Sequence, residues 1–402
     1  MDSKLYLALS FAMFMEFAIW GAWFPVLAPR LLGPLKMSGK QTGWIYATLP
    51  LACIVFPILA GLLADQYFAT QWIIIVCHAA GAVLIFFAAR QSKFINLFVV
   101  LLIYSAFYTA TLPLVNSMMF HHLDKVFLGD TAKVDAASGK IFLWAPVAWA
   151  LAGYFLTGWR WKFKTGEEGK DCLYMAAVLS VIMVIGGLML LPATPAAKAA
   201  TASFGKAFAL LGNGNFLLFI IVSMIVAGLM PFYFQGTAPF MQDIGVSAKN
   251  VPASMAIAQA VQALATLFLL GVLLTNFGNK WTLIVGAACW GVLYVIYIST
   301  QNRFIIIPAQ ALHGLAYVFF IIGGQIFTKS FAPKELLGST QGIIFAATSG
   351  LGMFLGTQVA GFIMDKSKVG DKFQWRKVFS APVATAVVCV LVLILFFKAT
   401  AS

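Results

Sequence analysis

A few side chains in the 402-residue sequence are of types that do chemistry inside otherwise apolar segments. Glu16 lies in the apolar stretch 5–32, with Trp20 and Trp23 at i+4 and i+7, a spacing that puts all three on one helical face. A carboxyl group at membrane depth costs at least ~2.5 kcal/mol on insertion scales, and groups retained at that cost commonly carry protons or solutes. The plainer role, a hydrogen bond to a neighbouring helix that fixes packing, is the lesser expectation for Glu16. His313, with Tyr317 at i+4, can titrate, can bond a ring-shaped solute, or can be a neutral core imidazole bonded to a carbonyl. Gln259 and Gln262 are three residues apart and share a face. Their amides read donors and acceptors alike, although interhelical bonding is the usual duty of such a side chain.

Aromatic rings are dense around these positions: Tyr104 and Tyr108, Trp144 and Trp149, and Tyr233. Flat rings stack on flat or sugar-like ligands, while any one ring taken singly is more often core or lipid-facing. Asn116 follows Pro113, and Met230-Pro-Phe-Tyr-Phe-Gln-Gly236 places Pro231 and Gly236 around Gln235, which reads as a broken helix at membrane depth.

The elements that must hold these groups follow from composition. The chain is 62% hydrophobic and 10% charged, against about 25% charged for soluble domains. Segments of about 20 apolar residues recur to the C-terminus, as a bilayer requires. They run near 5–32, 41–64, 72–90, 94–120, 140–158 and 172–191, then 214–240, 251–275, 281–299, 304–328, 338–364 and 377–398. The first holds Glu16, is long and lacks a cleavage site, so it reads as a span and not a signal peptide. Between the two sets lies Pro192 to Asn213, rich in Pro, Ala and Thr, which reads as a cytoplasmic linker.

The expected fold is all-α: twelve transmembrane helices in two six-helix bundles, residues 1–191 and 214–402 joined by 192–213, the major facilitator layout with its solute site at midplane. A faint echo supports repetition, Gly61-Leu-Leu-Ala-Asp65 in one half against Gly271-Val-Leu-Leu-Thr275 in the other. Gly61 and Asp65 read as a conformational latch, the start of the facilitator loop motif with Gln66 in place of its arginine.

Other classes are disfavoured. The net charge of +13 comes from single Lys and Arg residues in short loops, without the basic patch that nucleic acid would require. The cysteines Cys53, Cys77, Cys172, Cys289 and Cys389 have neither zinc nor disulfide spacing. There is no phosphate-binding loop and no nucleophile paired with a base, so neither a metal, a cofactor nor an enzymatic activity is expected. The expected partners are a small solute, protons and membrane lipids, with the protein a monomer. Placing both termini inside leaves most of the 26 Lys and Arg outside, including Arg160, Lys162, Lys164 and Lys170 in one loop, contrary to the positive-inside rule.

Five segments spread along the chain carry a resemblance: Glu16-Phe-Ala-Ile-Trp-Gly-Ala-Trp23, Cys77-His-Ala-Ala-Gly81, Thr111-Leu-Pro-Leu-Val-Asn-Ser117, His313-Gly-Leu-Ala-Tyr317 and Ser339-Thr-Gln-Gly342. In these the sequence resembles the bacterial nucleoside:proton symporters of the major facilitator superfamily. The resemblance implies an inner-membrane protein with cytoplasmic termini that takes up nucleosides with protons. A sugar or other metabolite, carried by uniport or symport, or a receptor that does not transport, are the alternatives.

It points to Glu16, Trp20, Trp23, Asn116, Gln262, His313 and Tyr317 as site positions, to which the residues themselves add Tyr108, Trp149, Tyr233 and Gln259. Three positions depart from the family pattern: Phe142 stands for an arginine, and Ala265 and Val318 stand for acids. With those acids gone, Glu16 is the expected coupling residue, with His313 as its partner.

Overall fold

The structure is a computed structural model, which describes residues 1–196, 208–332 and 336–398. Twelve helices among the described residues are long and apolar enough to cross a membrane. Spans 1 to 6 are Ser3–Leu32, Gly39–Gln66, Thr70–Arg90, Phe94–Phe127, Thr131–Phe163 and Asp171–Leu190. Spans 7 to 12 are Gly214–Asp243, Val251–Phe268, Leu270–Ser299, Arg303–Lys329, Ser339–Lys366 and Trp375–Phe396. Most of the expected linker, residues 197–207, lies outside the described residues, as do Lys334 and Glu335.

Within the first half span 3 packs on spans 4 and 6, span 2 on span 4, and span 1 on spans 5 and 6; within the second, span 9 packs on 12 and 10, and span 8 on 10. Contact between the halves runs chiefly through span 2 with span 11 and span 5 with span 8.

Several spans depart from regular helix for readable reasons. Span 5 begins earlier than its apolar stretch, at Thr131, where the Asp130 carboxylate accepts from the Lys133 amide. It breaks at Leu143, ahead of Pro146, which has no N–H to continue the ladder. Span 7 breaks at Gly228–Leu229, before Pro231, and not at Gly236. Gly236 is helical, and a methyl group there would stand 3.1 Å from the Phe379 ring, so its smallness serves packing. Spans 8 and 9 are nearly continuous: after Leu269 the helix resumes, and the turn comes only at Gly278, whose φ of 71° suits glycine. Spans 10 and 11 each contain a wider π turn, Tyr317–Ile322 and Ala346–Gly352.

The halves meet most tightly at the end carrying the loops after odd-numbered spans. Ser38 and Gln41 form a reciprocal cap at the start of span 2. The Asp365 carboxylate of span 11 accepts from the Gly39 and Lys40 amides at 2.6 and 2.9 Å, where it also meets the positive end of the span 2 dipole. Gly39 and Gly361 let the two backbones touch, since a Cβ on either would lie 2.5 or 2.4 Å from the other's carbonyl oxygen. Nearby, Arg160 of span 5 is buried and grips Asp171 with two nitrogens while donating a third hydrogen bond to the Ala248 carbonyl across the halves. In the adjoining loop Lys170 beside Glu168 holds that carboxyl below its ordinary range. At the opposite end the halves are joined by an exposed Lys329–Asp135 pair.

Candidate functional site

Glu16 lies two-thirds of the way along helix Ser3–Trp23 and is fully buried. One carboxylate oxygen, Oε2, is 3.0 Å from His78 Nε2 on span 3, and Oε1 is 2.7 Å from the Thr111 hydroxyl on span 4. The Tyr108 hydroxyl donates to the Glu16 backbone carbonyl at 2.7 Å. The carboxyl is therefore held by an imidazole and a hydroxyl rather than by the indoles of its own helix. His78 is not among the expected site residues, although an imidazole within the apolar stretch 72–90 is a signal that the sequence carries.

His313 occupies a different setting. Its ring stacks on Tyr233 of span 7, with centroids 4.0 Å apart and planes 9° from parallel, and meets Trp290 of span 9 edge-on at 4.7 Å. No bond joins His313 to Glu16, so the expected partnership is replaced by Glu16 with His78. His313 Nδ1, the Tyr233 hydroxyl and Trp290 Nε1 are all buried, and none has a hydrogen-bond partner.

The two settings are linked by rings. Phe234, next to Tyr233, lies 4.9 Å from Phe24 and 6.3 Å from Trp149. Trp149 is 5.0 Å from Trp20, and Trp20 is 6.2 Å from Tyr108. A continuous chain of ring contacts thus runs from His313 in one half to Tyr108 in the other and includes Trp20, Trp149 and Tyr233. Phe24 and Phe234 complete it; 37 phenylalanines in one chain gave no reason to single them out. Trp20 Nε1 is a further buried donor without a partner.

The remaining expected residues are less tightly grouped. Trp23 borders the chain, edge-on to Phe24 at 5.4 Å and to Tyr104 at 5.8 Å. Gln259 is buried, Asn116, Gln262 and Tyr317 are half-buried, and none of these side chains makes a hydrogen bond among the described residues. Spans 8 and 10 cross closely here: a Cβ on Gly314 would stand 2.1 Å from the Ala258 carbonyl oxygen. Asp65 is exposed, and Gly61 has open space around it.

Residues 3–402 match the family described as nucleoside H+ symporter. The chain belongs to that family. It is 26% identical to nucleoside permease NupG of Escherichia coli (strain K12) over 98% of this chain and 96% of the relative. To the putative nucleoside transporter YegT of the same organism it is 29% identical, over 96% of this chain and 93% of the relative. A solved structure of a point mutant of nucleoside transporter NupG superposes with a TM-score of 0.87 at 25% identity, covering 98% of this chain and all of that one. The family and these relatives are permeases, which makes this chain a multi-pass membrane transporter of the major facilitator fold.

Of the three departures from the family pattern, two meet in space. Ala265 of span 8 and Val318 of span 10 are buried in one small apolar cluster with Leu270 and Phe319. An apolar cluster at these two places holds no buried charge that would need a partner. Phe142, at the break in span 5, is partly exposed against Phe120.

Proposed function

We propose that this protein takes up nucleosides together with protons across the bacterial inner membrane, with Glu16 as the coupling acid. The observation that carries the reading is the ring chain between the halves, with Trp20 Nε1, the Tyr233 hydroxyl and His313 Nδ1 buried along it and unpaired. A nucleoside offers a flat base to stack and polar edges to pair with such atoms. Gln259, Gln262, Asn116 and Tyr317 flank this region as further polar contacts, and His313 reads the solute instead of carrying the proton.

In this reading, residues 1–191 and 214–402 are the rocking halves and 192–213 the cytoplasmic linker. Both termini are cytoplasmic, so the Gly39–Gly361 seal is periplasmic and the conformation faces inward. Gly61 and Asp65 latch the other end when the halves rock over. The protein works as a monomer among membrane lipids.

The test is uptake of labelled uridine and adenosine by proteoliposomes under an imposed pH gradient, acidic outside. Accumulation above the equilibrium level, collapsed by a protonophore and competed by other nucleosides but not by sugars, is expected. Uptake that ignores the gradient, or that only sugars compete, would overturn the proposal.

A further inference from the structure

We propose that Thr111 is the positioning residue that lets Glu16 exist in both its charged and its neutral form without movement of the surrounding helices. This rests on the reading of Glu16 as the coupling acid. The Thr111 hydroxyl oxygen lies 2.7 Å from Glu16 Oε1 and 2.6 Å from the Tyr108 backbone oxygen, both at hydrogen-bonding distance. A hydroxyl has one hydrogen to give and can also accept. With Glu16 ionised, Thr111 donates to Oε1, and the Tyr108 oxygen keeps its bond within the helix. With Glu16 protonated, the new O–H on Oε1 donates to the Thr111 oxygen, and the Thr111 hydrogen swings to the Tyr108 oxygen.

The proton count balances in both directions: one proton arrives on Oε1 from water and leaves to water, and the hydroxyl hydrogen only rotates. Oε2 stays 3.0 Å from His78 Nε2, which serves as its donor in either form of the carboxyl. Each oxygen therefore keeps a hydrogen-bond partner in either state, so loading or unloading the proton leaves no buried polar atom unpaired.

The surroundings leave this job to few groups. Span 3 contributes His78 and Cys77, and span 4 contributes Tyr104 and Tyr108, all close enough to feel the Glu16 charge. From spans 5 and 6 the charged groups are Lys133, Asp135, Lys140, Arg160, Lys162 and Asp171, at the ends of the helices, and none bonds Glu16.

The experiment compares Thr111→Val, Thr111→Ser and Glu16→Gln in proteoliposomes, reading both pH-driven accumulation and exchange of labelled for unlabelled uridine. Valine keeps the shape and removes both the donor and the acceptor. Because the bond to a carboxylate is the stronger of the two lost, release of the proton should require a more alkaline pH, by roughly tenfold in proton concentration. Exchange, which needs no net release, should persist, and Thr111→Ser should restore the wild-type pH profile. Glu16→Gln should exchange without accumulating.

A wild-type pH profile in Thr111→Val, alongside lost accumulation in Glu16→Gln, would overturn this proposal alone. Wild-type accumulation in Glu16→Gln would instead remove the reading on which it rests. If Thr111→Val does not fold, Thr111→Cys takes its place, with the same shift at smaller size expected and an unmoved profile again overturning the proposal.

Discussion

Glu16 and His313 are both ionisable, both buried and both placed in the middle of the bundles, yet their surroundings are opposites. Both oxygens of Glu16 are satisfied, by His78 and Thr111. His313 leaves Nδ1 unpaired, and its ring packs against Tyr233, Phe234 and Trp290. A group whose bonds are complete within the protein is suited to hold a proton through a conformational change. A group with a bond to spare is suited to a visitor. In the proposed reading the first half supplies the charge store, and the second supplies most of the unpaired atoms that recognise the solute.

The sharpest way to break this contrast is to remove the charge store outright. Glu16→Leu leaves the buried His78 ring without its partner, while Thr111 keeps its bond to the Tyr108 oxygen, and should cost about 1–3 kcal/mol of stability, as an unsatisfied buried polar group typically does. A thermal melt of the detergent-solubilised protein checks this, and a melting point within a degree or two of wild type would mean that Glu16 is not tied in as described.

The matching change in the other half should behave in the reverse manner. His313→Phe keeps a ring against Tyr233 but removes the free nitrogen, so nucleoside affinity should fall by about 1–3 kcal/mol if a buried ligand group is left unpaired. Its melting point should stay close to wild type, and the pH dependence of uptake should not move. A shift in pH profile would return His313 to the proton pathway and erase the division between the halves.

The smallest effect is expected for Tyr233→Phe, which deletes one hydroxyl and leaves the stack intact. A loss of about 0.5–1.5 kcal/mol in binding, by equilibrium titration, corresponds to one ordinary hydrogen bond. No loss would place the solute beside the Tyr233 ring rather than at its hydroxyl.

The spans themselves were legible because bilayer thickness imposes length and apolarity on every one of them, and those show directly in sequence. Glu16 was legible for the same reason, as an acid where acids are expensive. Its partners were not, since pairing it with His78 instead of His313 depends on which helices are neighbours. Hydropathy is silent on that. Of the Pro231 and Gly236 pair in span 7, the break falls just ahead of Pro231 and Gly236 is a spacer against Phe379, a difference that packing decides and sequence does not show. The chain of rings was half legible. Trp20, Trp149 and Tyr233 stood out as rare residues, whereas Phe24 and Phe234, which join them, are lost among many phenylalanines.

The π turn Tyr317–Ile322 also bears on descent. Such a turn amounts to one extra residue within a helix, and each residue turns a helix by about 100°. Because the wider turn takes up that residue locally, Gly323–Phe331 keeps the face it would have in an uninterrupted helix, with Phe327 and Phe331 on Phe219 and Phe216. One codon can therefore be gained or lost at this turn without disturbing the packing on either side of it.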